Sequence, residues 1–315
     1  MTRVICGVDV SSEALDAQVR PSGEEKRFPA TAEGIADLAA FCREHGVGLV
    51  AMEATGGYER LAYSALWGER IATAVVNPRA VRQFAQAMGS LEKTDRIDAG
   101  MIAWFAETKR IIPQEPPSEA QERLKALVTR LRQLTELRVA QTNQRRLVTE
   151  AGVRRGFDEL LAVLSRQMRA IEAEIAGLFA ADPLWQALDQ AFRSIKGVAG
   201  RTVARLMAEV PEIGTIAGKP ASKLVGVAPL ANDSGKAKGG RHTRGGRAHV
   251  RSILFVVAEI VRRHDPDFAA FHKRLSDAGK PKKVIRVALA HKLLVRLNAK
   301  ARDVRKNLDI NALAA

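Results

Sequence analysis

Two short apolar runs near the start of this chain each stop on an acid. Val4-Ile-Cys-Gly-Val leads into Asp9, and Gly48-Leu-Val-Ala-Met leads into Glu53. Apolar runs of this length read as buried strands. A carboxylate at the end of a buried strand loses hydration and needs compensation. Two more acids, Asp95 and Asp98, stand in Lys93-Thr-Asp-Arg-Ile-Asp98 at the start of a helical pattern. Their i, i+3 spacing puts both on one side of that helix, with Thr94 as a cap. A hard divalent cation such as Mg²⁺ suits an all-oxygen set of this kind. Two such ions about 4 Å apart activate a nucleophile and stabilise a leaving oxygen in phosphoryl displacement. Asp9, Glu53, Asp95 and Asp98 are therefore candidate metal ligands. For any one of them alone, a surface or capping role is the simpler reading.

The flanking pattern predicts an α/β domain over residues 1–112. Strands are expected at 3–10, 14–20 and 25–29. A helix capped by Thr31 runs to Glu44, with Ile35, Leu38, Ala39 and Cys42 on one face. A strand at 47–52, a helix at 57–69, a strand at 71–76 and a helix opened by Asn77-Pro78 follow. Three strands followed by alternating helices and strands suggest a ribonuclease-H-like arrangement.

Ile112-Pro-Gln-Glu-Pro-Pro117 breaks the chain rigidly. Residues 118–185 then carry two long helical patterns with near-heptad apolar spacing. One holds Leu124, Leu127, Leu131, Leu134 and Leu137. The other holds Phe157, Leu160, Leu164, Met168, Ile171, Ile175 and Leu178. An antiparallel coiled-coil hairpin turning near Gly152 to Gly156 fits, and it would serve oligomerisation. An ordinary helical domain is the alternative. Residues 190–315 read as mainly helical, with helices near 200–209, 247–264, 266–277 and 281–303.

Charge separates these regions. Residues 191–315 hold 26 Lys and Arg against 9 Asp and Glu, whereas residues 1–100 hold 11 against 14. A basic last third under a net +15 implies a nucleic-acid partner. The two cysteines, Cys6 and Cys42, have no pairing or metal spacing and read as reduced core residues. The initial apolar run is too short for a signal peptide, and no run reaches membrane-spanning length. A soluble, cytoplasmic protein with no membrane partner is expected.

Two basic features stand out in the last third. Ser194-Ile-Lys-Gly-Val-Ala-Gly-Arg-Thr-Val-Ala204, followed by Leu206 and Met207, has the form of a helix-hairpin-helix. Its glycines would let backbone N–H groups approach a phosphate, with Lys196 and Arg201 adding charge. A plain interhelical turn is the alternative. The loop Gly226 to Arg247 carries Lys236, Lys238, Arg241, Arg244 and Arg247 among glycines. Such a loop can track a phosphate chain closely. Ser234-Gly235 lies near its start, and by itself a serine before glycine is a turn residue.

Taken together these blocks resemble a known family, the DEDD-type insertion-sequence transposases, relatives of the Piv-type DNA invertases. Gly7-Val-Asp9, Glu53-Ala-Thr-Gly-Gly-Tyr58, Asn77-Pro78, Lys93-Thr-Asp-Arg-Ile-Asp-Ala99, Gly226-Val-Ala-Pro229, Asp233-Ser-Gly235 and Gly279-Lys280 all match its pattern. The resemblance implies a RuvC-like domain binding Mg²⁺ through Asp9, Glu53, Asp95 and Asp98. Two ions per site are expected, with Mn²⁺ able to substitute. It also implies that Ser234 attacks DNA to form a covalent phosphoserine. Donor and target DNA, a noncoding guide RNA encoded by the element, and a tetramer built from dimers are implied in the same way. A recombinase must rejoin strands, and a covalent protein–phosphate link stores the energy to do so.

The alternative is a RuvC-like, junction-resolving endonuclease using water, which needs the acids but neither Ser234 nor the basic loop. An actin-like ATPase would need a second similar domain with phosphate loops, where this chain has helices. A catalytically inert nucleic-acid-binding protein is the remaining alternative.

Overall fold

In the computed structural model the described residues are 3–89, 95–231 and 242–314, and among these the side chains of 95–97 and 309–314 lie outside the description. The chain forms two compact units, residues 1–117 and 118–315.

The first unit is built on a five-stranded sheet in the order β3-β2-β1-β4-β5. Its strands are β1 (Ile5–Val10), β2 (Ala14–Arg20), β3 (Glu25–Pro29), β4 (Leu49–Glu53) and β5 (Thr73–Val76). β1, β2 and β3 pair antiparallel as a meander, while β4 lies parallel to β1 and β5 parallel to β4. Helices α1 (Ala32–Glu44), α2 (Glu59–Gly68), α3 (Pro78–Ala87) and α4 (Asp95–Thr108) complete it. The local signals for these elements hold. Thr31 accepts from the Gly34 N–H at 3.2 Å and starts α1. Asn77 accepts from the Arg79 N–H at 2.9 Å ahead of Pro78.

Alternation along the strands separates two cores. Cys6, Val8 and Val10 join Leu15, Ala17 and Val19 and the apolar face of α1. Ile5, Leu49, Ala51, Ala74 and Val76 join Ile102, Ala103, Phe105 and Ala106 of α4. Both cysteines are buried free thiols.

The second unit is helical among its described residues: α5 (Glu119–Arg145), α6 (Ala151–Ala181), α7 (Pro183–Arg193), α8 (Gly200–Glu209), α9 (Gly218–Val225), α10 (Ala248–His264), α11 (Pro266–Asp277) and α12 (Lys282–Ala314). α5 and α6 run antiparallel, since Arg145 pairs with Asp158 and Arg123 with Glu174. The turn between them falls at 146–150, not at Gly152 to Gly156. Glu150 ends the turn by accepting from the Val153 N–H at 2.6 Å, so both glycines are helical.

The leucine stripe also differs from a free two-helix seam. Leu124, Val128, Leu131 and Leu134 are buried, with Leu164, Met168, Ile175 and Phe179, in one core shared with α7, α8, α10 and α12. Toward the turn the stripe opens, leaving Leu137, Val139, Leu160 and Val163 exposed. α6 packs along α5, and at the base of the hairpin α7, α8, α10 and α12 add to the same core. Two helices had not been expected from the pattern. α7 is capped by Asp182, which accepts from the Trp185 N–H at 3.0 Å, and α9 ends at Gly226 in the left-handed region. No helix among the described residues is long and apolar enough to cross a membrane.

Candidate nucleic-acid-processing site

The register of the parallel pair brings two of the predicted acids together. Ile5 lies beside Leu49 and Val8 beside Met52, and the next residue on each strand is Asp9 and Glu53. Ile5 and Leu49 face α4. Strand alternation therefore puts Gly7, Asp9 and Glu53 on that same face, at the carboxyl ends of the strands.

α4 rests directly on β1 at this point. A Cβ placed on Gly7 would meet the Ala99 carbonyl oxygen at 2.0 Å and the Ala103 nitrogen at 2.6 Å. Only glycine allows the helix backbone this close. Asp98 immediately precedes Ala99, so the same contact fixes its position over the sheet. Gly100 makes the matching approach to β2, where a Cβ would meet Gln18 Oε1 at 1.8 Å. Asp9, Glu53 and Asp98 are all half-buried, and each has a polar or electrostatic partner.

Asp95 opens α4, but its side chain lies outside the described residues. Among the described residues, no group of three or more His, Cys, Asp or Glu is gathered tightly enough to hold a metal ion. What those residues supply is a pair of neighbouring carboxylates with Asp98 on the helix above the same sheet face.

Two acids near this pair were not singled out from the sequence. Asp16 lies directly across β2 from Asp9, and its carboxylate is 3.7 Å from Arg27. Glu59 folds back over the turn after Glu53, accepting from the Thr55 N–H at 3.0 Å and the Gly57 N–H at 2.9 Å. This turn needs Gly56 and Gly57, both at positive φ. The acid six positions after Glu53, preceded by two glycines, was the available signal for a loop clasp.

In the helical unit, Ser234, Lys236, Lys238 and Arg241 lie outside the described residues. The two ends of their loop are described. Leu230 N–H donates to the His242 carbonyl at 3.0 Å, and Arg247 N–H to the Leu224 carbonyl at 3.0 Å. Gly226 and Gly246 touch closely enough that a Cβ on Gly246 would meet the Gly226 nitrogen at 2.5 Å. Arg251 Nη1 donates to the Gly245 carbonyl at 2.6 Å.

The predicted cations divide by role. Arg244 is exposed. Arg247 is engaged within the fold, with both Nη atoms 2.7 Å from the Glu212 carboxylate. Burial pushes the Glu212 carboxyl up, but hydrogen bonding and charge from Arg247 outweigh it and hold the group below the ordinary glutamate range. Arg201 likewise pairs with Glu172 on α6, while Lys196 is exposed. In the turn before α8, Gly197 has φ +100°, and a Cβ there would press on Ile260 and Val261 at 3.1 Å. Gly197 thus serves packing against α10. Gly200 opens α8 with nothing near its missing Cβ.

An α/β unit with acids at the ends of adjacent strands, followed by a basic helical unit, is the arrangement expected of a protein class that acts on nucleic-acid phosphates. Comparison with known proteins makes this particular. A family model described as a transposase, of the IS110 DEDD type, matches residues 6–150. A second, described as the transposase IS116/IS110/IS902 family, matches residues 189–273. The pilin gene-inverting proteins of Moraxella lacunata and Moraxella bovis are each 25% identical over 305 residues, covering 93% of this chain and 94% of the relative. The chain belongs to the IS110 transposase family and is related to these DNA-inverting proteins.

Proposed function

We propose that this transposase cuts and rejoins DNA through a phosphoserine at Ser234, assisted by Mg²⁺ bound to Asp9, Glu53, Asp95 and Asp98. The observation that carries the metal reading is the adjacency of Asp9 and Glu53 at the ends of two parallel strands, on the face that α4 covers. An all-carboxylate donor set suits a hard cation, and a DNA phosphate supplies further oxygens. When bound, the metal would neutralise charge on the reacting phosphate and favour the ionised form of an attacking hydroxyl. The strand order, a meander followed by parallel strands, supports a RuvC-like assignment for the first unit.

The protein's own step is a transesterification. Ser234 Oγ forms a bond to phosphorus as the bond to the departing DNA oxygen breaks. The serine proton leaves to solvent, and the departing oxygen takes one up as a hydroxyl. Attack by a DNA hydroxyl reverses the exchange and frees the serine. Lys236, Lys238, Arg241 and Arg244 neutralise backbone phosphates around the loop. Arg247 supports the loop from its pair with Glu212.

The reading extends to assembly and guidance. Leu137, Val139, Leu160 and Val163 offer apolar surface for association of copies, dimers pairing into tetramers. A noncoding RNA from the same element selects donor and target by base pairing, which leaves the protein to grip phosphate.

Mapping of a trapped adduct tests the central step. Full-length protein incubated with cognate DNA and Mg²⁺ is expected to carry a nucleotide on the peptide containing Ser234. Ser234→Ala is expected to bind DNA and form no adduct. An adduct on another residue would overturn the serine assignment, and hydrolytic cleavage without adduct would favour the water-using endonuclease.

A further inference from the structure

The turn between α7 and α8 faces a cleft of about 290 Å³. Its walls are Ser194 and Lys196 from the turn, His264 and Asp265 from the junction of α10 and α11, and Arg296 and Lys300 from α12. This volume lies near the small end of the roughly 300–1,000 Å³ typical of ligand pockets. It suits a phosphate with its sugar better than a larger ligand.

The charges in the cleft are unequally satisfied. Arg296 pairs with Asp265, lies 3.9 Å from Asp267 and sits over the Phe268 ring at 5.7 Å. Asp265 also caps α11, accepting from the Asp267 N–H at 2.9 Å. These groups form a closed set. The Ser194 hydroxyl donates back to the Ala191 carbonyl at 2.7 Å. Lys196 and Lys300 have no carboxylate within ion-pair reach among the described residues, and Lys300 is half-buried. A partly desolvated ammonium without a counter-charge is unfavourable unless an anion joins it. The two come from different elements and line the same small cleft.

We propose that this cleft binds a phosphodiester of a nucleic-acid backbone, held between Lys196 and Lys300 and walled by Arg296. It is a contact separate from the glycine-rich loop and reads no sequence: Asp265 is taken up by Arg296 and the Ser194 hydroxyl by the Ala191 carbonyl, which leaves the two lysines to meet the phosphate. The binding chemistry is common to duplex DNA and structured RNA.

The test uses the full-length protein with both nucleic acids and follows binding by fluorescence anisotropy across a salt series. Each lost phosphate contact lowers the slope of log affinity against log salt by about 0.9. The double variant Lys196→Ala/Lys300→Ala is expected to bind more weakly, with a slope shallower by about two units, at every sequence tried. Lys196→Arg/Lys300→Arg is expected to restore binding. Lys109→Ala/Lys125→Ala removes the same charge elsewhere and is expected to have a smaller effect. A loss confined to the DNA arm, or to the RNA arm, identifies which backbone occupies the cleft. An unchanged slope in both arms, or a loss matched by the control pair, would overturn the proposal. Because binding is read without cleavage, failure here is distinct from failure of the phosphoserine mechanism.

Discussion

Gly7 and the Ala99 carbonyl are so close that a Cβ on Gly7 would come within 2.0 Å of that oxygen. The contact sets the height of α4 above the sheet, and with it the position of Asp98 relative to Asp9 and Glu53. Gly7→Ala must push helix backbone away from β1. Overpacking of this kind costs about 1–3 kcal/mol. Gly100→Ala meets the end of a Gln18 side chain, which can rotate aside, and should cost less. Chemical denaturation of the two variants, with DNA cleavage measured on each, checks the order: Gly7→Ala is expected to be the less stable and the less active.

Asp9→Asn and Glu53→Gln remove charge while keeping shape. Each is expected to abolish metal-dependent strand cleavage with little loss of stability, because both groups are half-buried near the edge of the core. Asp98→Asn and Asp95→Asn are expected to do the same. Asp16→Asn is expected to retain cleavage, since its carboxylate is near Arg27. Cleavage assays across a Mg²⁺ and Mn²⁺ series decide this. Near-normal activity in the Asp9 or Glu53 variant would remove the metal site from the mechanism.

The Glu212–Arg247 pair gives a pH prediction. Glu212 titrates lower in the folded chain than its ordinary value of 4.5. Its contribution to stability is therefore present above the unfolded-state pKa and is lost as pH falls through the lower folded value. Both side chains are about a third exposed, so solvent screening limits the pair to on the order of 1 kcal/mol. Glu212→Gln should flatten the acid limb of the stability curve, as followed by thermal melts at several pH values. An acid limb identical to that of the parent would show that the pair contributes nothing.

Leu160→Glu and Val163→Glu place charge on the exposed part of the α5–α6 hairpin. They are expected to weaken self-association without unfolding. Leu131→Glu is expected to unfold the helical unit instead, because Leu131 lies in its core. Light scattering combined with circular dichroism separates the two outcomes. A parent protein that is monomeric both free and on nucleic acid would remove the assembly proposal.

Much of the first unit was legible because its signals are local. The apolar runs ending at Asp9 and Glu53, the Thr31 cap and Asn77-Pro78 each act within a few residues of themselves. What failed was also local in form but decided elsewhere. Gly152 and Gly156 read as breakers, yet the Glu150 side chain starts the helix ahead of them. Leu131 and Leu137 both read as members of one leucine stripe, yet Leu131 lies in the core shared with neighbouring helices and Leu137 is exposed. Arg201 and Arg247 read as free cations because their partners, Glu172 and Glu212, lie 29 and 35 residues away. Lys300 was not singled out, since its pairing with Lys196 exists only once α12 lies against the α7–α8 turn.

The contact of Gly226 with Gly245 and Gly246 makes the loop that carries Ser234 begin and end at one place. Such a closure separates the length of the segment from the packing of α9 and α10. Doubling a flexible loop adds only about 0.6 kcal/mol of closure entropy. Insertions or deletions between Leu230 and His242 would therefore leave the helical core almost untouched. The frame and the segment joined to it between Leu230 and His242 are free to change at different rates.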